Sequence, residues 1–137
     1  MFKVTRQIHF SYGHRLLNYD GKCRYLHGHN GIVEVELASE TLDARGMVHD
    51  FAEIKKEIQG WIDKNLDHRM ILHEKDPAIP LLRQLKEPFY TLTENPTAEA
   101  IARLIYHVAA ERRFPVTEVR LWETHNAFAT YRQNAKK

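Results

Sequence analysis

Apolar and polar positions alternate along residues 2–10, where Phe2, Val4, Ile8 and Phe10 fall on one side and Arg6 breaks the series. Period-two alternation marks a strand with one buried face. It returns over residues 31–39, with Val33, Val35 and Leu37 opposed to Glu34 and Glu36. The polar stretch from Thr41 to Gly46 reads as the turn that closes this arm. The period then changes. Phe51, Ile54, Ile58, Trp61, Ile62 and Leu66 recur at helical spacing, with Lys55, Lys56, Glu57 and Lys64 on the wet side. This predicts an amphipathic helix of about 14 residues. Asp50 stands where an N-cap is needed, with Glu53 as its capping-box partner.

Pro77, Pro80, Pro88 and Pro96 punctuate residues 73–96, which predicts an irregular connection with a short helical turn. Asn95 or Thr97 could cap a second helix, whose apolar stripe is Ile101, Leu104, Ile105, Val108 and Ala109. Pro115 ends that region. Val119, Leu121 and Glu123 share one phase of a third strand, Thr124-His125-Asn126 is the turn after it, and Asn126 to Arg132 reads as a fourth strand. The predicted order is ββααββ. Runs of strands and helices argue for an α+β domain, here a four-stranded antiparallel sheet with two helices on one face. No repeat or linker divides the chain, so residues 1–137 are expected to form a single domain. The open sheet edges predict pairing between subunits, hence a homo-oligomer.

Composition narrows the class. At 137 residues with 43% hydrophobic and 28% charged positions, the chain suits one globular unit with a real core. The net charge of +2 gives no strong pull toward nucleic acid or membrane. No apolar run approaches a membrane span, and Met1 to Arg6 has no signal-peptide character. One cysteine cannot form an intrachain disulfide. A cytoplasmic setting is therefore expected.

Nine histidines are many for this length, and three have a pattern. If the chain around Gly28 is extended, His27 and His29 project from one face. His14 closes the first strand and the His27/His29 pair opens the second, so antiparallel pairing brings the three together. Three histidines with one open position is how zinc is held when a substrate must reach it. Cys23 lies in the basic stretch Lys22-Cys23-Arg24, where positive neighbours favour the reactive thiolate. It could serve as a base, or as a fourth ligand that closes the metal site. Asp67 beside His68 can orient the imidazole for proton transfer. Glu123, in the apolar phase of its strand, could accept two hydrogen bonds from a planar ligand with adjacent N–H donors.

Several segments in series carry a likeness: Phe10-Ser11-x-x-His14-Arg15-Leu16, Cys23-x-x-x-His27-Gly28-His29-Asn30, Val48-x-Asp50-Phe51, Leu66-Asp67-His68, Asn95-Pro96-Thr97-Ala98-Glu99 and Glu123-Thr124. Over nearly its whole length the chain resembles the 6-pyruvoyltetrahydropterin synthase / 6-carboxytetrahydropterin synthase family. The resemblance implies the tunnelling fold (T-fold), assembled as a trimer or hexamer with sites at subunit interfaces. It implies zinc on His14, His27 and His29. It implies Cys23 as general base and Asp67 with His68 as a proton relay, contributed by a neighbouring subunit. Glu123 would anchor a pterin ring, with Thr97 and Thr124 near the pocket. The implied substrate is 7,8-dihydroneopterin triphosphate. The three residues between Cys23 and His27, as in the bacterial 6-carboxytetrahydropterin synthases, favour the carboxy product of queuosine and deazapurine biosynthesis over the pyruvoyl product. A zinc-binding module without catalysis and a metal-independent aldolase are the readings from other classes. Basic residues near the site, Lys22, Arg15 and Arg24, are candidates for the triphosphate. Two positions depart from the family pattern: Tyr12-Gly13 replaces the usual small residues, and Gly31-Ile32 stands where an aromatic is common.

Overall fold

In the computed structural model, which describes residues 1–134, the two alternating segments form long paired strands. Residues 135–137 of the expected domain lie outside the described residues. Strand β1 (Phe2–His14) runs antiparallel to β2 (His27–Ser39) with Ile8 opposite Val33 and His14 opposite His27. This register follows from the pattern, because a one-residue slip would turn every apolar side chain to the wrong face.

The sheet is larger than the sequence predicts. It has six strands in the order β4-β3-β1-β2-β5-β6, with β3 (Arg69–His73), β4 (Phe89–Leu92), β5 (Val116–Thr124) and β6 (Ala127–Tyr131). It is also mixed: β1 with β3 and β3 with β4 are parallel, whereas β2 with β5 and β5 with β6 are antiparallel. The expected four-stranded antiparallel sheet is thus corrected to a six-stranded mixed one. The two unforeseen strands are only five and four residues long. Arg69-Met70-Ile71-Leu72-His73 and Phe89-Tyr90-Thr91-Leu92 lack the alternation that betrays a half-exposed strand.

Helical residues run unbroken through α1 (Phe51–Ile54), a π-helical segment (Lys55–Gln59) and α2 (Gly60–Asn65). The π segment has a physical reason. Ile54, Ile58, Ile62 and Leu66 are all fully buried at a spacing of four. Each such step overshoots one α-helical turn by about 40°, so the stripe would spiral off the core unless the helix widens locally. Asp50 caps the helix, its side chain accepting from the Ala52 N–H at 2.8 Å. Glu53 does not complete a capping box; it faces His49 at 3.2 Å instead.

The short helix α3 (Ile79–Gln84) is the predicted helical turn between β3 and β4. Helix α4 (Ala98–Glu111) is capped by Thr97, whose hydroxyl accepts from the Ala100 N–H at 3.1 Å. Asn95, the other cap candidate, brackets Leu17, its amide bonding that residue's N–H and C=O at 2.9 Å each.

The long helical stretch and α4 share one core with the inward residues Ile8, Phe10, Val33, Val35, Leu37, Val119 and Leu121. The other sheet face is polar and tied by side chains: Lys3 to Glu36, Arg120 to Glu118, and the Trp122 indole N–H to Glu34 at 2.6 Å. No helix among the described residues is long and apolar enough to cross a membrane.

Candidate functional site

The β1–β2 register builds the histidine cluster. His14 sits opposite His27, and Tyr12 opposite His29. Alternation then puts His14, His27 and His29 on the face that carries the core. Their ring centroids lie 4.5 to 5.0 Å apart, and one ligand atom from each falls within 4.8 Å of the others. A side chain at Gly13 would force the Met70 thioether from β3 to move aside.

Two histidines are aimed by backbone carbonyls. His14 Nδ1–H donates to Pro96 O and His27 Nδ1–H to Tyr25 O, each at 2.7 Å. Holding Nδ1 in this way leaves Nε2 as the free lone pair. His14 Nε2 stands 3.1 Å from His29 Nε2. Burial pushes the His14 imidazole down to about 4; the Pro96 bond opposes this, and His27 and His29 add to it. His14 is therefore neutral, as a metal ligand must be. A neutral His14, two oriented Nδ1–H groups and one ligand atom from each of three histidines within 4.8 Å fit a metal ion. Cys23 is not part of the cluster among the described residues. It sits on the 3-10 turn Lys22–Arg24, and its carbonyl holds the Leu16 N–H at 2.8 Å. This weighs against a closed four-ligand site.

Glu123 approaches the cluster from β5. Its oxygens lie 3.9 Å from Nε2 of both His14 and His29. The β5–β6 register slips between Trp122 and Thr124, which leaves Glu123 as the extra residue of a β-bulge. A bulge re-aims the side chain it carries. Thr124 follows, its hydroxyl accepting the Asn126 N–H at 3.2 Å across the hairpin turn. Glu123, Thr124 and His29 line a cleft of about 470 Å³.

Asp67 and His68 stand at the other end of the cluster. Asp67 Oδ1 accepts the Ser11 N–H at 2.9 Å, and Oδ2 accepts from His68 Nδ1 at 2.8 Å. Burial pushes the Asp67 carboxyl up, but these bonds outweigh it and hold the group below its ordinary value. The His68 N–H bonds Ser11 O at 2.6 Å, and the residue holds φ at 57°. A non-glycine residue in the left-handed region is strained, and such strain gathers at functional sites. The His68 side chain is 81% exposed. It lines a second cleft of about 700 Å³ with His27, His29 and Asn30.

Of the predicted residues, the structure gathers His14, His27, His29 and Glu123 tightly, and Asp67–His68 at the adjoining cleft. Thr97 is occupied as a helix cap directly behind the Pro96 carbonyl that aims His14. Two of the three basic candidates have other work. Arg15 makes two hydrogen bonds to the buried Asp76, and Arg24 lies against the Tyr25 ring at 4.8 Å. Sequence reasoning missed the Pro96 and Tyr25 carbonyls, because backbone acceptors leave no trace in residue type.

The family model described as 6-pyruvoyl tetrahydropterin synthase matches residues 3–134. A Rickettsia bellii protein named 6-carboxy-5,6,7,8-tetrahydropterin synthase is 40% identical over 135 residues, covering 93% of this chain and 98% of that one. Among solved structures, an uncharacterized protein of Wolinella succinogenes superposes with a TM-score of 0.82 at 27% identity, over 97% of this chain and 98% of that one. The Caenorhabditis elegans 6-pyruvoyl tetrahydropterin synthase gives 0.72 at 26% identity, over 97% and 96%.

Proposed function

The chain belongs to the 6-pyruvoyl tetrahydropterin synthase family, and on that footing we propose that it converts 7,8-dihydroneopterin triphosphate and one water molecule into 6-carboxy-5,6,7,8-tetrahydropterin, acetaldehyde and triphosphate. Relatives named as tetrahydropterin synthases place it among enzymes acting on a pterin. The observation that carries the reading is the gathering of His14, His27 and His29, with the Glu123 carboxylate 3.9 Å from Nε2 of His14 and of His29. That arrangement offers an electrophile and a ring anchor side by side.

His14, His27 and His29 would hold zinc, which supplies Lewis acidity toward the side-chain oxygens when bound. Glu123 would accept two N–H bonds from the amino-pyrimidine edge and so fix the ring. Cys23 would take a proton from the side chain, and His68, oriented by Asp67, would return one. Thr124 lines the Glu123 cleft and is placed to touch the same ring. Thr97 would act on the pocket through the loop that carries Pro96. We assign the Asp67–His68 pair to the site of a neighbouring subunit in a homo-oligomer. The exposure of His68 and the free sheet edges β4 and β6 support this.

The identity to proteins named as the carboxy enzyme and the three-residue spacing from Cys23 to His27 favour the carboxy product. The test is incubation of the zinc-loaded protein with 7,8-dihydroneopterin triphosphate, with products identified by mass spectrometry. Acetaldehyde and the 6-carboxy product in equal amounts are expected. Pyruvoyl product without acetaldehyde would select the other branch of the family, and no turnover of the pterin would sink the reading.

A further inference from the structure

Tyr12 on β1 and Gly31 on β2 form one packing feature. A Cβ built on Gly31 would lie 3.0 Å from Tyr12 Cε1, 3.2 Å from Phe10 Cε1 and 3.4 Å from Leu121 Cδ1. The Tyr12 ring, stacked on Phe10 at 5.0 Å, fills the space that a side chain from position 31 would take. Glycine at 31 is the vacancy on β2 that accommodates the Tyr12 ring from β1.

Packing alone does not account for a tyrosine there. Tyr12 is 3% exposed, and its buried hydroxyl makes no well-formed hydrogen bond among the described residues, although the Glu123 carboxylate stands near enough to bear on it. A buried hydroxyl left unpaired costs about 1–3 kcal/mol, and phenylalanine would fill the same volume without that cost. The ring lies 5.3 Å from His14 and 5.6 Å from His29. The charged group that bears on the hydroxyl is Glu123, which also reaches both histidines at 3.9 Å. An ionised carboxylate has about four lone-pair sites. A pterin edge would use two and leave room for a donor from within the protein.

We propose that Tyr12 is a positioning residue for Glu123: with a pterin bound, its hydroxyl donates to the Glu123 carboxylate and fixes the plane in which that carboxylate meets paired N–H donors. This rests on the pterin reading above. The hydroxyl is held ready by a ring locked between Phe10 and Gly31, so little rotamer entropy is lost when the bond forms. The ligand class selected is a planar heterocycle with two adjacent N–H groups.

The experiment uses zinc-loaded full-length protein and neopterin as probe, with binding followed by fluorescence. Tyr12→Phe is expected to keep stoichiometric zinc, to unfold at no lower a temperature than the parent, and to bind neopterin roughly tenfold more weakly, the size of one hydrogen bond to a charged group. Glu123→Gln should also weaken binding, and the double variant should be no weaker than Glu123→Gln alone, because the hydroxyl acts through the carboxylate. Tyr12→Ala with Gly31→Phe should recover the melting temperature lost by Tyr12→Ala without recovering affinity. Additive losses in the double variant, or Tyr12→Phe binding as the parent does while Glu123→Gln fails, would overturn the inference and leave the pterin reading intact. A parent protein that does not bind neopterin overturns the inference, and one that also fails to turn over 7,8-dihydroneopterin triphosphate overturns the pterin reading with it.

Discussion

Replacing Asp67 separates what its carboxylate does for the fold from what it does for the chemistry. One oxygen accepts the Ser11 N–H at 2.9 Å and the other holds His68 Nδ1 at 2.8 Å. In Asp67→Ala the half-buried Ser11 N–H loses its acceptor, at about 1–2 kcal/mol. The bond to His68, whose side chain is 81% exposed, contributes less than about 1 kcal/mol, because solvent screens it. The expected loss is therefore near 2 kcal/mol. In Asp67→Asn the carbonyl oxygen can still accept from Ser11, so the loss should stay under about 1 kcal/mol. The amide NH2 then faces His68 Nδ1 and selects the opposite tautomer, which spoils proton delivery by roughly 10²-fold or more in turnover. Guanidinium unfolding and the product assay read the two effects apart. The carboxyl is held below its ordinary value in the fold. Its ionic contribution is thus complete above about 3.9, the unfolded value, and disappears as pH falls through the lower folded one. Parent and Asp67→Ala should accordingly converge in stability toward pH 3. Asp67→Asn as unstable as Asp67→Ala, or Asp67→Asn with full turnover, would refute the division of labour.

Two further outcomes are expected. Cys23→Ala should abolish turnover while keeping stoichiometric zinc, since Cys23 stands outside the histidine cluster; metal analysis showing loss of zinc would make the thiol a ligand instead. Asp76→Asn should destabilise the chain by about 3 kcal/mol at pH 7, because it strands the half-buried Arg15 guanidinium. The Arg15 bond holds the Asp76 carboxyl low against burial, with the Ala78 N–H assisting. This contribution is also lost as pH falls through the folded value, so denaturation at pH 3 should show the difference shrinking. An equal difference at both pH values would exclude the ion pair as its source.

The fold was legible wherever one face of an element met solvent. The alternation in β1, β2 and β5 and the stripe of α4 printed their orientation on the sequence, as did the caps at Asp50 and Thr97. Strands β3 and β4 were not legible, since Arg69–His73 and Phe89–Leu92 are short and lack alternation. The capping box failed at Glu53, whose carboxylate pairs with His49 at 3.2 Å instead. At the site, residue type and spacing pointed to His14, His27, His29, Asp67, His68 and Glu123, each of which needs a titratable or coordinating side chain.

The sequence by itself determined the chemistry available: three imidazoles, a free thiol, an acid–imidazole pair and a carboxylate in an apolar phase. It also determined which faces of β1 and β2 turn inward, because a one-residue slip would expose the valines and leucines, and His14, His27 and His29 share that inward face. Only the tertiary structure decided how these groups are aimed. The Pro96 and Tyr25 carbonyls that free each Nε2 come from loops, and the bulge that turns Glu123 inward is a slip between strands. The seat of the Tyr12 ring over Gly31 is likewise a product of strand packing. Distances between segments far apart in the chain are set by packing, and residue identity does not encode them one position at a time.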